Sequence, residues 1–215
     1  MEHELDLREF TIRSVKDLGL IIGETHADQF MRYLAHLIAW NKSINLTTII
    51  DPKKIIIKHF VDSLVGLVAT SFPQKSLVVD VGSGGGFPGI PLKIVRSDIR
   101  LILVEPIQKK CSFLNSVIGL LKLQDVSTFC GTIEQFTKQP LSDAIDMVVV
   151  RALKYEEIRK HLPALLTSKG KVVLYRTERI KKQEIGEEFH LVSETDLILP
   201  QGSGKRVVTV IERDN

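Results

Sequence analysis

A glycine-rich turn and an acid that follows it are the residues whose spacing could do chemistry. Val78-Val79-Asp80-Val81 runs into Gly82-Ser83-Gly84-Gly85-Gly86-Phe87-Pro88-Gly89, an apolar strand giving way to a turn almost free of side chains. Glycine at Gly82, Gly84 and Gly86 lets the backbone turn sharply and approach a ligand with nothing intervening. Pro88 is tolerated in the first turn of the helix expected to follow. In an open α/β sheet such a loop lies beyond the carboxyl end of its strand, where ligands bind. Glu105 stands 21 residues after Gly84, directly behind the apolar run Leu101 to Val104. A carboxylate at the end of that next strand can accept both hydroxyls of a ribose, so loop and acid together describe a nucleoside pocket.

Gly84, Gly86 and Gly89 also fit a dinucleotide pattern, but in the wrong register. There the first glycine sits at the strand end and a small residue follows five positions on. Counted from Gly82, that position is Phe87, too large for close helix–strand contact. Asp80, just inside the strand, suits a ligand with a positively charged amino-acid tail and no pyrophosphate; a carboxylate that merely caps the loop is the alternative. From the strand end the pattern reads Asp-x-Gly-x-Gly-x-Gly, which resembles motif I of S-adenosylmethionine methyltransferases.

These residues need a sheet to hold them. Residues 1–74 read as helical: Phe30, Leu34, Leu37 and Ile38 recur at helical spacing up to Trp40, and Ile55 through Val68 forms a second amphipathic run. Between them Asn41 to Thr47 is a polar connection in which Asn41 and Asn45 serve as turn and cap residues. From Leu77 the pattern changes to short apolar strands: Leu77 to Val81, Leu101 to Val104, Val126 to Cys130, Ile145 to Val150, Val172 to Tyr175, Leu191 to Leu199 and Val207 to Ile211. A helix is expected from Ile107, with Cys111, Leu114, Ile118 and Leu121 on one face. Strands alternating with helices imply a mainly parallel sheet with right-handed crossovers. Only Pro200 to Arg206 separates the last two strands, so these form an antiparallel hairpin. The expected fold is therefore a Rossmann-like α/β methyltransferase domain over 75–215, its seven-stranded sheet ending in that hairpin, preceded by a helical extension over 1–74 packed on the core.

With 44% hydrophobic and 26% charged residues, the 215-residue chain has the composition of a water-soluble globular protein. No apolar stretch is long enough to cross a bilayer. Glu2, Glu4, Asp6 and Glu9 lie in the first ten residues with no apolar core behind them, unlike a signal peptide. A cytoplasmic monomer without metal is expected, with Cys111 and Cys130 as buried reduced thiols. The net charge of +3 is uneven: residues 151–182 hold ten Lys/Arg against three Glu, a local +7 that leaves −4 elsewhere. Such a segment suits a polyanion, or is simply a solvated face.

At this point the chain resembles a particular family, the bacterial glucose-inhibited division protein B (GidB) group, N7-specific guanine methyltransferases of 16S ribosomal RNA. Trp40-Asn41-Lys42-Ser43-Ile44-Asn45-Leu46-Thr47 is similar to the family's WNKxxNLT connection. His59-Phe60-Val61-Asp62-Ser63 resembles its HxxDS segment, and Asp80 to Pro91 its DxGSGxGFPGIP loop. Weaker similarity continues through Lys109 to Leu114, Arg151-Ala152 and Gly204-Lys205-Arg206. The resemblance implies S-adenosylmethionine as cofactor, held by Gly82, Ser83, Gly84, Gly86, Phe87 and Glu105, with Ile133 and Glu134 around the adenine. It places Arg151 at the end of the fourth strand, facing the methyl-transfer site as the catalytic residue. The partner it implies is 16S rRNA or a small-ribosomal-subunit particle. Thr132 stands where the family usually has Arg, Val150 where Ser is common, and Arg176 where Lys is usual.

N7 of guanine already carries a lone pair, and the chain shows no obvious base constellation, which accords with that nucleophile. Because N7 faces a groove too narrow for side chains in A-form RNA, the target is expected to be an unpaired loop nucleotide. Arg151 is a candidate contact to guanine O6 or a phosphate, with an ion pair to Glu105 or Asp146 as its alternative. Lys109, Lys110, Arg176, Lys205 and Arg206 are candidate phosphate contacts. His59 stacks on a base or bonds within the fold; Asp62 and Ser63 fix the amino-terminal helices to the sheet; Trp40 and Phe30 are core. A methyltransferase of some other substrate and a non-catalytic RNA-binding protein are the competing readings.

Overall fold

The computed structural model describes residues 2–140 and 143–214, with side chains from residue 5; the two ends of the chain, Met1 and Asn215, included in the expected extension and domain, lie outside them. Four helical segments come first: α1 (Glu2–Lys16), α2 (Glu24–Asn41), α3 (Pro52–Ile55) and α4 (Asp62–Ala69), the last two joined by a π-helical stretch, Ile56–Val61. Seven strands follow: β1 (Leu77–Val81), β2 (Arg100–Glu105), β3 (Val126–Cys130), β4 (Ile145–Arg151), β5 (Leu166–Arg176), β6 (Phe189–Ile198) and β7 (Lys205–Arg213). Between them lie α5 (Gly89–Val95), α6 (Gln108–Leu121), α7 (Ile133–Thr137), α8 (Tyr155–Ile158) and α9 (Lys182–Ile185).

The sheet order is β3-β2-β1-β4-β5-β7-β6. β1 to β5 pair in parallel, whereas β7 runs antiparallel to both β5 and β6. The seven strands and the terminal hairpin are those the sequence predicts. β5 starts six residues earlier than its apolar run because Leu166 already pairs with Ile145; the register then jumps to Lys171 opposite Met147, and the polar residues between bulge out. Helix α5 begins at Gly89, with Pro88 as its cap rather than its first residue.

Strand alternation sorts the core into two layers. Val78, Leu101, Leu103, Met147, Val149 and Val173 face the amino-terminal helices and share one cluster with Phe30, Tyr33, Leu37, Phe60 and Leu64. Val79, Val81, Val148, Val150, Val172 and Leu174 face the other way, against Phe136, Tyr155 and Ile158. Helices α1–α4 are thus one covering layer of the sheet. Phe30 is fully buried and Trp40 packs on Phe113 with ring centroids 5.7 Å apart, the core roles expected of both. Asn41 ties its connection together by accepting from Leu46 and Thr47 N–H and donating to Thr47 O.

Strands β2 and β3 follow β1 on one side, while β4 and β5 lie on the other. The chain therefore reverses direction between β1 and β4, and the crevice at their carboxyl ends is the switch point where α/β folds bind ligands. Gly82 leaves β1 there, and Arg151 closes β4.

One expectation fails outright. Cys111, at the start of α6, and Cys130, at the end of β3, are joined in a disulfide with Cα atoms 5.9 Å apart, not two separate reduced thiols. The cause is parallel pairing: Glu105 lies opposite Cys130, and the first turn of α6 folds back over that strand end. The placement of the basic segment also differs from a single cationic face. Arg176 lies at the carboxyl end of β5, but Lys169 and Lys171 sit toward its amino end, where Lys171 pairs with Glu212. Arg179 is bound by Glu194 and Asp196. The basic segment of 151–182 is accordingly split between two ends of the sheet rather than forming one cationic face.

Candidate active site

The turn after β1 is built for close approach. Gly82 and Ser83 N–H groups both donate to Val104 O, which pins the loop to β2. Gly82, Gly84 and Gly86 adopt φ of +74°, +56° and +91°, a region that favours glycine. A side chain at Gly82 would collide with Leu153, and one at Gly86 with Tyr33 and Ile90. One at Gly84 would meet only Gly82 O, at 3.8 Å, because that position faces open space.

That open space is a cavity of about 460 Å³ bounded by Gly82 and Gly84 on one side, Glu105 and Ile107 below, and Thr132, Ile133, Arg151 and Leu153 opposite. Glu105 accepts Gly84 N–H through Oε2 at 2.8 Å and Ile107 N–H through Oε1 at 3.0 Å. Each carboxylate oxygen offers two acceptor positions, so both retain one for a ligand hydroxyl. Of the predicted cofactor residues, Gly82, Gly84, Glu105 and Ile133 line the cavity, and so does Arg151, expected at the methyl-transfer site. Ser83 and Asp80 are buried behind the loop: Ser83 Oγ donates to Asp80 O, and Asp80 Oδ2 accepts Gly89 N–H at 2.8 Å, tying the start of α5 to β1. The arrangement of Asp80 is therefore that of the loop-capping alternative. Burial pushes its carboxyl up to about 7, against the lowering pull of the Gly89 N–H and Arg151, and its Oδ1 is left without a hydrogen-bond partner. Gly86 and Phe87 likewise shape the loop from outside, while Glu134 is exposed and paired with Lys138. Thr132 N-caps α7 by accepting Gln135 N–H, so this chain uses for capping a position where the family resemblance implies a cation.

A second cavity, of about 580 Å³, lies beside the first. Lys58, His59, Asp62, Tyr175, Arg176 and Arg206 line it, and Arg151, Ala152 and Leu153 form the wall common to both. Arg151 does not pair with Glu105 or Asp146. Its Nη1 donates to Asp62 Oδ2 at 3.1 Å and Lys58 O at 3.2 Å, its Nη2 to His59 Nδ1 at 3.3 Å, and its guanidinium lies 5.2 Å from the Phe87 ring centroid. Asp146 instead accepts Leu77 N–H. His59 stacks on Phe87 at 4.7 Å and contacts Thr47 Oγ1 through Nε2 at 2.7 Å. Because a guanidinium can only donate, His59 Nδ1 accepts, and Nε2–H donates to Thr47. Burial, reinforced by the Arg151 charge, lowers the imidazole to about 3, so it is neutral. The internal-bonding alternative is therefore the one found for His59.

Arg206 makes a two-point contact with Asp62, and Arg176 pairs with Glu184 at 3.2 Å. Lys110 edges the first cavity, while Lys109 and Lys205 are exposed. The structure thus brings Arg176 and Arg206 to the second cavity, while Lys109 is not among the residues lining either one. Tyr33, which sequence reasoning passed over within an apolar helical stripe, donates to Gly85 O and holds the loop from α2.

Comparison with known proteins accords with this geometry. The sequence profile of the family described as GidB, rRNA small subunit methyltransferase G, matches residues 26–205. The chain is 31% identical over 213 residues to ribosomal RNA small subunit methyltransferase G of Staphylococcus aureus (strain Newman), covering 95% of this chain and 89% of the relative. Among solved structures, MtNAS in complex with MTA and tNA superposes with a TM-score of 0.57 at 12% identity, over 96% of this chain and 71% of that one. TrmN from Thermus thermophilus gives 0.56 at 16% identity, over 71% and 48%. At such identities these two likenesses concern the fold. The profile match and the relative go further: this chain belongs to the rRNA small subunit methyltransferase G family.

Proposed function

We propose that the protein transfers a methyl group from S-adenosylmethionine to N7 of a guanine in a loop of 16S ribosomal RNA, acting on the RNA or on a small-subunit particle. The observation that carries this reading is the shared Arg151-Ala152-Leu153 wall, which sets a nucleoside-sized cavity with a ribose acceptor against a second cavity rich in cations. The residues present fit the cofactor: Glu105 offers its free acceptor positions to the ribose, Gly84 leaves room for the ligand, and Ile133 supplies an apolar wall for the adenine. When bound, that cofactor supplies a methyl group on a sulfonium, already activated for displacement.

The second cavity then receives the base. The lining cations Lys58, Arg151, Lys154, Arg176 and Arg206 outnumber the lining carboxylates Asp62, Glu156 and Glu178, which suits an RNA phosphate and a guanine Hoogsteen edge. Beside Arg151, neither His59 nor Asp62 is free to act as a base: the His59 lone pair faces Arg151, and Asp62 is held between two guanidiniums, while Glu156 and Glu178 are the other carboxylates that line this cavity. A nucleophile that must first lose a proton would find no acceptor in His59 or Asp62; N7 does not need one. Positioning and exclusion of water remain as the protein's contribution, effects that supply roughly 7–11 kcal/mol in favourable cases.

Two measurements test the reading. Calorimetry should show S-adenosylmethionine binding, and no heat would end it. Labelled methyl should pass to small ribosomal subunits or their RNA, and N7-methylguanine should appear in 16S rRNA when a strain lacking the gene receives this chain; transfer to protein or small molecules instead would replace it with the competing methyltransferase reading.

A further inference from the structure

The π-helical stretch Ile56–Val61 and the first residue of α4 bring three groups to one guanidinium. Lys58 O, His59 Nδ1 and Asp62 Oδ2 all accept from Arg151, though the partners lie 89 to 93 residues apart in sequence. π-Turns are rare and recur at functional positions. Here the Lys58 carbonyl accepts from the Arg151 side chain, and residues 59 and 62, three apart, lie on the same side of the helix. Phe87, from the glycine loop, closes the fourth side of Arg151 with its ring. Asp62 is 1% exposed and grips Arg206 with Nε–Oδ1 at 2.6 Å and Nη2–Oδ2 at 2.8 Å. One buried carboxylate thus joins α4, the end of β4 and the start of β7.

We infer that Asp62 is a positioning residue for the methyl-transfer reaction, with His59 as its partner: the π-turn orients Arg151 across the wall between the two cavities. The inference rests on the proposed role of Arg151 in presenting the target base. A buried carboxylate shared by two arginines leaves one net positive charge at this wall. Fixing both guanidiniums by hydrogen bonds directs that charge toward the acceptor cavity and keeps Arg151 from swinging into the cofactor space. A bidentate grip on Arg206 does the same for the hairpin strand, so the acceptor cavity is assembled only when the helical layer is docked.

The test is a double-mutant cycle on the full chain with small subunits as acceptor. Asp62→Asn should lower kcat about a hundredfold, the cost of misplacing a reacting partner by around 1 Å, with cofactor affinity unchanged. His59→Leu, which preserves the apolar contact with Phe87, should lower it about tenfold for the loss of one charge-assisted hydrogen bond. In an Arg151→Ala background neither change should matter further. Additive losses, or a kcat drop that follows the melting temperature and is not relieved by Asp62→Glu, would overturn the inference while leaving the function standing. A readout without turnover separates the two: arginine side-chain NMR of the free protein should show hindered rotation of the Arg151 guanidinium, assigned by its disappearance in Arg151→Lys, and averaging in His59→Leu and Asp62→Asn. Unchanged hindrance in both variants sinks the positioning role. Hindrance lost in both with no methyl transfer by the native protein sinks the function instead.

Discussion

Glu105 and Gly84 are joined by a 2.8 Å hydrogen bond from the glycine N–H to Oε2, so the acid that lines the first cavity also fixes the loop beside it. One side chain consequently has two effects on binding. Glu105→Ala should weaken S-adenosylmethionine by about a hundredfold or more, from lost ribose hydrogen bonds to a charged acceptor and from a loosened loop. Glu105→Gln keeps one acceptor oxygen and should fall between. Titration calorimetry measures both, and equal affinity in the three proteins would remove Glu105 from the pocket.

Gly84 separates conformational strain from occupancy. Alanine there adopts φ near +56° at a cost of about 1–2 kcal/mol, and its methyl points into the cavity without striking the protein beyond Gly82 O. Gly84→Ala should therefore fold with a modest loss of stability in denaturant titration, yet bind cofactor far more weakly. Normal affinity in a destabilised variant would mean that the ligand lies elsewhere.

Much of this was legible in the sequence because the signals are local. Asp80 to Gly89 spells out a turn whose glycines have physical reasons, and Glu105 is placed by the length of one helix and one strand. The seven apolar runs gave the strands, and their spacing the hairpin. What the chain conceals is pairing over long separations. Asp62 reaches Arg206 across 144 residues and Arg151 across 89, and nothing in a local window marks a carboxylate as shared between two cations. Tyr33 is hidden for a similar reason, since its ring obeys the helical core pattern and only its hydroxyl reaches Gly85. The disulfide escaped because the parallel register of β2 and β3, which no spacing rule fixes, decides that Cys130 meets Cys111. The basic segment misled through its bulge, which sends Lys169 and Lys171 to the end of β5 away from the site.

His59 makes a pH prediction with a definite sign. Its imidazole falls from 6.5 to about 3 on folding, because of burial first and the Arg151 charge second. Between these values the unfolded chain binds a proton that the folded protein refuses. Stability from this group is therefore full above pH 6.5 and is lost as the pH drops toward 3, at up to about 1.4 kcal/mol per pH unit. His59→Leu should flatten that part of the stability curve relative to the native chain. Parallel curves for the two proteins in urea melts from pH 7 to pH 4 would show that the ring is not held neutral.

The disulfide predicts a stability difference under reducing conditions. Cys111 and Cys130 close a loop of 19 residues, for which the restriction of the unfolded chain is worth about 3 kcal/mol. Cys111→Ser with Cys130→Ser, or dithiothreitol, should lower the melting temperature. Because Cys111 Sγ lies 3.0 Å from Glu105 O and Cys130 precedes Gly131 at the cavity edge, the same change should also weaken cofactor binding. Free thiols titrating in the untreated protein would refute the pairing.

The division of the basic segment gives a prediction about RNA that exposed charge alone would not. Lys205 is exposed in the chain next to Arg206, which lines the second cavity, whereas Lys169 is exposed toward the opposite end of β5. Each phosphate contact releases counterions, so removing one lowers the slope of log affinity against log salt by about 0.7 to 0.9. Lys205→Ala should reduce the slope for binding small-subunit RNA by that amount without altering cofactor affinity. Lys169→Ala removes the same charge from the chain and should leave the slope unchanged. If both variants shift it equally, the RNA senses overall charge rather than this cavity, and the acceptor wall formed by Arg151, Arg176 and Arg206 loses its claim to the substrate.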